Sequence, residues 1–558
     1  MVANKFSSFG GMIPAQDERL LPDNNAAYAA NVWLYEGTLQ GIRELKSIHT
    51  CTSGAVKRVF RIPIGSPTRE NISSSYWLEF ATEDVDVLKA PLASDAYNRY
   101  YWTSAATGPQ YNTQARIAAS SAPYTLGVPS PQNFPAVTAH DGVSTVAVVR
   151  SYLYSWVSEF GEEGAPSAPS ITTGKQDDVW SVTIIPPTNG EKANRSLSKV
   201  RIYRTVTAST GVATYFFVDE VINTTTLYTD TKTDAVVTAN AGLESTSWTA
   251  PPSDIKGMVA MPNGMIVGYR DNEVWFCEPY RPHAWPALYT QSVDAPVVGI
   301  GVVGQSAIIL TQTGVHAATG VSPQSVTMAK VSTHGGCLSR ASIVSTPLGV
   351  LYASDNGLVL ATPGGVVNLT VSMFTKDKWL DEMVVSTIRA AQLTTGAYYM
   401  WGQNTAGASV GGMIDISDQR TAYTKLTTSN VISNTFNDPW TSEVFVMSAG
   451  VVYQLELSSA RPRSQYTWRS KKLQPPNKRN LEAMRIYFDV PTEAIGALGT
   501  VKIYADDRLV ATKSLTASGA LIRLPSGFKA SFWQIEITSK VIVSSVEMAT
   551  SVKELASV

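Results

Sequence analysis

The feature that most constrains this chain is a recurring unit of two short apolar strands around a tight polar turn. It recurs in "FATEDVDVLKAP", "GYRDNEVWFCEP", "LTQTGVHAATG", "YASDNGLVLATP", "IDISDQRTAYTKL" and "VMSAGVVYQLEL". Apolar residues alternating with period two, punctuated by Gly, Asn, Asp or Pro, are the pattern of β-hairpins. Helical periodicity is nearly absent, and short helices are predicted only around Asn24 to Trp33 and Thr375 to Met383. Three turns, near Asn272, Thr313 and Asn356, follow one another at about 40 residues, the repeat length of a four-stranded propeller blade; the later spacings are irregular. A blade cannot cover both faces of its own sheet, and radial stacking does so without leaving long open edges. The predicted fold is therefore all-β, a degenerate β-propeller. A pair of ordinary β-sandwiches would also account for the hairpins.

Two stretches differ in character. After Tyr124, "YLYSWVSEFGEEGAPSAPS" reads as a strand running into a Glu/Gly/Pro/Ser hinge, and "VWSVTIIPP", "VRIYRT", "TYFFVDEV" and "TLYTDT" follow at Ig-like intervals. This is the pattern of an inserted fibronectin or Ig-like sandwich, joined through exposed linkers where insertions are tolerated. After Leu457, "RPRSQYTWRSKKLQPPNKRN" is basic with interleaved aromatics, and later strands such as "MRIYFDV" and "FWQIEIT" make a C-terminal β-sandwich. The predicted division is 1–50, an N-terminal platform and subunit-contact segment; 51–135, the first propeller part; 136–248, the inserted Ig/fibronectin III-like domain; 249–460, the remaining blades; and 461–558, the C-terminal sandwich.

Charge excludes one class of function. Among 558 residues, Lys+Arg 44 against Asp+Glu 45 give a formal net charge of −1, so no basic surplus drives counterion-release binding to nucleic acid. Only 16% of residues are charged, below the ~25% usual for soluble domains, which suits a surface partly covered by other subunits. Cys51, Cys277 and Cys337 are odd in number and far apart, indicating neither a disulfide framework nor a zinc site. The first residues lack an apolar signal core, and "APVVGIGVVGQSAIIL" is interrupted by Gln305 and Ser306, so no membrane segment is expected. Folding in a reducing cytoplasm is the expectation.

Catalytic signals are sparse. None of the five histidines has a partner at metal-pair spacing, and His334 lies near Cys337 on a Gly-rich turn outside any nucleophile motif. Glu159, Glu162, Glu163 and Asp219 are carboxylate candidates for glycosidase chemistry, but they fall on the hinge and a strand end of the insertion. A Tyr or Trp beside Arg469, Lys471 and Lys472 could stack on a single-stranded base, or the run could be a charged strand edge that discourages pairing. The loop after "GMIVGYRDNEVWFCEP" carries Tyr280, Arg281, His283 and Trp285 among prolines, a composition shared by rigid packing and by interface hot spots. No catalytic, cofactor or metal residue is assigned.

The N-terminal stretch "GGMIPAQDERLLPDNNAAYAANVWLYEGTLQGIREL" resembles the opening of tail nozzle proteins of short-tailed bacteriophages, through Gly10, Gly11, Pro22, Asp23, Asn31 at the end of a short helix, Gly37, Leu39 and Arg43. The middle is similar in its logic: a strand like "GMIVGYRDNEVWFCEP", an aromatic loop, and an acidic element at Asp294 and Pro296. The resemblance implies a structural virion protein without enzymatic activity or cofactor. Such a protein forms a homo-hexameric ring below the portal-adaptor, docks a tail fibre or spike, and lets double-stranded DNA pass without sequence-specific binding. It would be assembled in the host bacterial cytoplasm. Two other functions fit the residues: a receptor- or glycan-binding tail fibre or adhesin, and a propeller enzyme acting on polysaccharide.

Overall fold

A computed structural model describes residues 4–34, 36–65, 74–92, 94–206, 214–416, 422–455 and 461–555. Its recurring element is the four-stranded antiparallel meander, the unit of a propeller blade. The first comprises Asp86–Lys89, Arg99–Ser104, Gly108–Thr113 and Tyr124–Thr125; the second Lys256–Ala260, Ile266–Arg270, Glu273–Phe276 and Gln291–Ser292. Val297–Val303, Ser306–Thr311, Val315–Thr319 and Thr327–Ser332 form the next, followed by Val344–Thr346, Gly349–Ser354, Gly357–Thr362 and Gly365–Asn368. Arg389–Gln392, Tyr398–Gln403, Ser409–Ile414 and Tyr423–Leu426 are a further meander. The last, Asn434–Asn437, Val444–Ser448 and Val451–Gln454, takes its fourth strand, Lys46–Thr50, from near the opposite end of the chain. The chain is an all-β, propeller-type protein, and the turns near Asn272, Thr313 and Asn356 lie in consecutive blades.

Five of the six predicted hairpins pair as such. "FATEDVDVLKAP" does not: Ser75–Phe80 pairs with Arg58–Pro63, while Asp86–Lys89 pairs with Arg99–Ser104 in another sheet. Each strand pairs with another partner, so the polar stretch between them connects two sheets instead of closing a hairpin.

The chain divides into two compact units, Met1–Glu83 with Gln312–Val315 and Val331–Val558, and Asp84–Thr311 with His316–Lys330. The second carries the insertion. Ala136–His140, Val179–Thr183 and Leu227–Asp230 form one sheet, and Ser170–Lys175, Ala147–Ser158, Leu197–Thr205 and Tyr215–Ile222 the other. Tyr152, Tyr154, Trp156, Trp180 and Ile202 fill the Ig-like core.

In the first unit, boundaries drawn from composition do not coincide with sheet boundaries. Asn4–Phe6 pairs with Ile542–Ala549 of the C-terminal sandwich. Ala26–Ala30 runs parallel to Tyr423–Leu426 and antiparallel to Tyr466–Ser470, joining a blade to the sandwich in one nine-stranded sheet. The helix predicted around Asn24 to Trp33 is thus a strand. "AAYAA" has high intrinsic helix propensity, but two flanking strand edges take its backbone hydrogen bonds, and Ala26 and Ala29 are buried between them and the core. Asn31 follows in the left-handed conformation at φ +54° and turns the chain into Val32–Trp33. The other predicted helix forms at Lys376–Glu382, with the Thr375 hydroxyl accepting from the Lys378 amide and Trp379 buried.

Candidate functional site

The loop from Tyr280 to Trp285 is built into its own unit. Its backbone folds on itself through Arg281 N–H to Glu278 C=O at 3.0 Å and Ala284 N–H to Arg281 C=O at 3.0 Å. Trp285 is fully buried; its indole N–H donates to Pro282 C=O at 2.8 Å and its amide to Thr249 C=O at 2.8 Å, where the insertion rejoins the blades. Arg281 stacks on Trp248, 4.2 Å from the ring centroid, and pairs with Glu244 at 3.3 Å. Tyr280, at φ +59°, lays its ring over Gly264, where an added Cβ would sit 2.4 Å from a ring carbon. That position therefore requires glycine. Half of the loop is core; Tyr280 and the edge of Arg281 face solvent.

His283 is 5% exposed, with its Nδ1 3.8 Å from a Glu162 oxygen. Burial pushes its pKa down to about 3, and Arg281 and Arg99 add to the effect, so the ring is neutral at pH 7 and the approach to Glu162 is not an ion pair. A depressed value means that the native state binds fewer protons than the unfolded chain between about pH 3 and pH 6.5. Stability from this group is present above pH 6.5 and is lost as pH falls, by roughly 1.4 kcal/mol per pH unit in that window. Unfolding free energies measured from pH 7 to pH 5, above most carboxylate titration, should fall as pH falls, and His283→Phe should lessen that fall.

The hinge "SEFGEEGAP" is not an exposed linker, contrary to the sequence expectation. Glu162 and Glu163 are buried. Glu162 accepts from Arg99 Nη1 at 2.6 Å, and Arg99 also pairs with Asp95 at 3.1 Å. Burial pushes the Glu162 carboxyl upward, with Arg99 opposing the rise. Glu163 accepts from Ser155 at 2.5 Å, Tyr203 at 2.8 Å, Arg201 at 2.8 Å and Ser245 at 3.1 Å. The hinge needed polar partners because its carboxylates are folded inward. Of the other carboxylate candidates, Glu159 accepts from Tyr124, and Asp219 from Tyr228 and Lys232. Each acidic side chain is thus engaged with its own set of partners.

Three cations of the basic run near the C-terminus are paired within their own unit. Lys471 pairs with Asp23 at 3.0 Å, Lys472 with Asp507 at 2.7 Å, and Arg469 with Glu18 at 3.4 Å. Tyr466 and Trp468 are buried, and Trp468 donates to Gly10 C=O at 3.1 Å. Neither ring offers a stacking platform. Cys277 and Cys337 are fully buried thiols pushed up to about 12 by burial, and His334 is exposed on its turn. Asp294 lies 3.1 Å from His316 and pairs with Lys330, so the acidic element is also part of a local network.

One constellation escaped the sequence reading. His49, Cys51 and Glu79 bring three donor atoms within 4.8 Å of one another. The signal was "HTC": on an extended strand, residues two apart project to the same side. Glu79 comes from a different sheet, and no spacing rule foretells it.

No family model matches the chain, and no curated protein matches it. Among solved structures it is similar to BBS1N in complex with ARL6DN, at TM-score 0.27 and 8% identity over 67% of this chain and 91% of that one. It is also similar to Hsv2 of Kluyvelomyces marxianus, at TM-score 0.26 and 9% identity over 61% and 97%. Likeness at these scores carries no argument; the fold rests on the sheet topology. Among the described residues no helix is long and apolar enough to cross a membrane.

Proposed function

We propose that this chain is a structural subunit of the tail nozzle of a short-tailed bacteriophage. In this reading six copies close into a ring below the portal-adaptor, hold the packaged DNA, dock a fibre or spike, and open for ejection without making or breaking a bond. The protein resides in the virion tail after assembly in the host cytoplasm.

The observation that carries the reading is the role of the residues behind the N-terminal resemblance. Gly10 accepts from Trp468, and Gly11 from the Asn25 side chain at 2.9 Å. The Asn31 side chain donates to the Thr427 hydroxyl at 2.8 Å and accepts from the Thr427 amide at 2.9 Å. Leu39 is fully buried and exchanges two backbone hydrogen bonds with Val543, while Arg43 reaches Arg461 C=O. The resemblance therefore follows positions that fasten the first fifty residues to a blade and to the C-terminal sandwich. Two further features support it. The insertion is fixed by a buried polar network, as suits a part that bears load, and the near-neutral charge, with Arg469, Lys471 and Lys472 of the basic run paired internally, avoids a grip on passing DNA. The test is assembly: the purified chain, with the portal-adaptor complex of its phage, is expected to form closed rings under the electron microscope.

A further inference from the structure

We propose that His49, Cys51 and Glu79 form a binding site for a zinc-class divalent cation. His49 lies on Lys46–Thr50, the strand that completes the last blade, and Cys51 follows it with its amide bound to Gly450 C=O at 2.8 Å. Trp77 and Glu79 are likewise two apart, on Ser75–Phe80. The imidazole of His49 lies flat on the Trp77 indole, at 4.6 Å between centroids and 8° between planes, and its Nε2 is 2.8 Å from Glu79 Oε1. The remaining oxygen, Glu79 Oε2, accepts from the Thr52 amide at 2.9 Å and from its hydroxyl at 2.6 Å.

This is more than a hydrogen-bonded His–Glu pair. A tetrahedral zinc ion with bonds of about 2.0 Å to N and O and about 2.3 Å to S places its donors roughly 3.3–3.6 Å apart. The three donor atoms lie within 4.8 Å of one another, so no pair has to close by more than about 1.5 Å, while the hydrogen-bonded His49 and Glu79 atoms, 2.8 Å apart, have to separate by about 0.5 Å. One sulfur, one imidazole nitrogen and one carboxylate oxygen suit zinc or cobalt and not the oxygen-only preference of calcium or magnesium. Outer support of the kind that orients metal ligands is in place: the Trp77 stack fixes the ring and Thr52 fixes the carboxylate. The His49 and Glu79 side chains retain 21% and 12% exposure, which gives an ion a path in while most of its water is removed. On coordination the Cys51 S–H bond is replaced by a sulfur–metal bond and the proton passes to solvent. A fourth position stays open to water or to a group from another molecule.

The site is independent of the nozzle reading and is tested on the full-length chain. After chelator treatment, Co²⁺ is titrated and absorbance is recorded, because a thiolate–cobalt bond gives a near-ultraviolet charge-transfer band. One equivalent per chain with that band is expected. Cys51→Ser should abolish the band, and Glu79→Gln, which keeps an oxygen toward Thr52, should weaken binding at least about tenfold. Circular dichroism of both variants separates lost binding from lost folding. Absence of the band in the unmodified chain, or its persistence in folded Cys51→Ser, would overturn the proposal.

Discussion

Replacing Asp438 with Ala is expected to destabilise the first unit by about 3–5 kcal/mol, because it strands a buried guanidinium. Arg61 and Asp438 have fully buried side chains and meet through Nε to Oδ1 at 3.0 Å and a second bond from Nη2. Asp438 also accepts from the Thr441 amide at 3.0 Å and hydroxyl at 2.7 Å, and Trp440 donates to Arg61 C=O at 3.0 Å. The pair joins Arg58–Pro63 to the turn after Asn434–Asn437, in the blade that Lys46–Thr50 completes. Its worth lies in the penalty for breaking it; replacing both partners with apolar residues of similar volume should cost far less than replacing Asp438 alone. Denaturant unfolding of the single and double variants checks this, and a single-variant loss below about 1 kcal/mol, the level of an exposed ion pair, would count against it.

Trp285→Ala is expected to cost the second unit about 3–5 kcal/mol. It removes a fully buried indole packed with Leu126, Ile255, Met258 and Cys277, together with the hydrogen bond to Pro282. The neighbouring loop positions should behave differently. Tyr280 is 52% exposed, so Tyr280→Ala should change stability by less than about 1 kcal/mol, and Arg281→Ala, which loses an exposed ion pair with Glu244 and a cation–π contact with Trp248, should cost about 1 kcal/mol. Asp438 and Trp285 lie in different compact units, so their variants are expected to move different unfolding transitions. If Tyr280→Ala proves as damaging as Trp285→Ala, the division of this loop into a buried and a free half is wrong.

The fold was legible where local chemistry decides it. The Asp271 and Asn356 turns, the Thr375 cap and the period-two strands each carry their signal within a few residues. It was illegible where distant partners decide. "AAYAA" reads as helix until Tyr423–Leu426 and Tyr466–Ser470 offer it two edges, and Glu162 and Glu163 read as a solvated hinge until Arg99, Arg201 and Tyr203 draw them inside. The prolines and aromatic rings of the Tyr280 to Trp285 loop were legible in the sequence, but no rule of spacing shows that Trp285 is buried while Tyr280 faces solvent. The His49, Cys51 and Glu79 cluster depends on two sheets meeting, which the sequence does not encode locally.

The proposal that this chain closes the tail is tested most directly by cryo-electron microscopy of purified particles of its parent phage. A ring of six copies below the portal-adaptor is expected, with density into which each compact unit fits separately. Particles with no such ring, or with a ring that neither unit fits, would contradict the account and leave the receptor- or glycan-binding reading in its place.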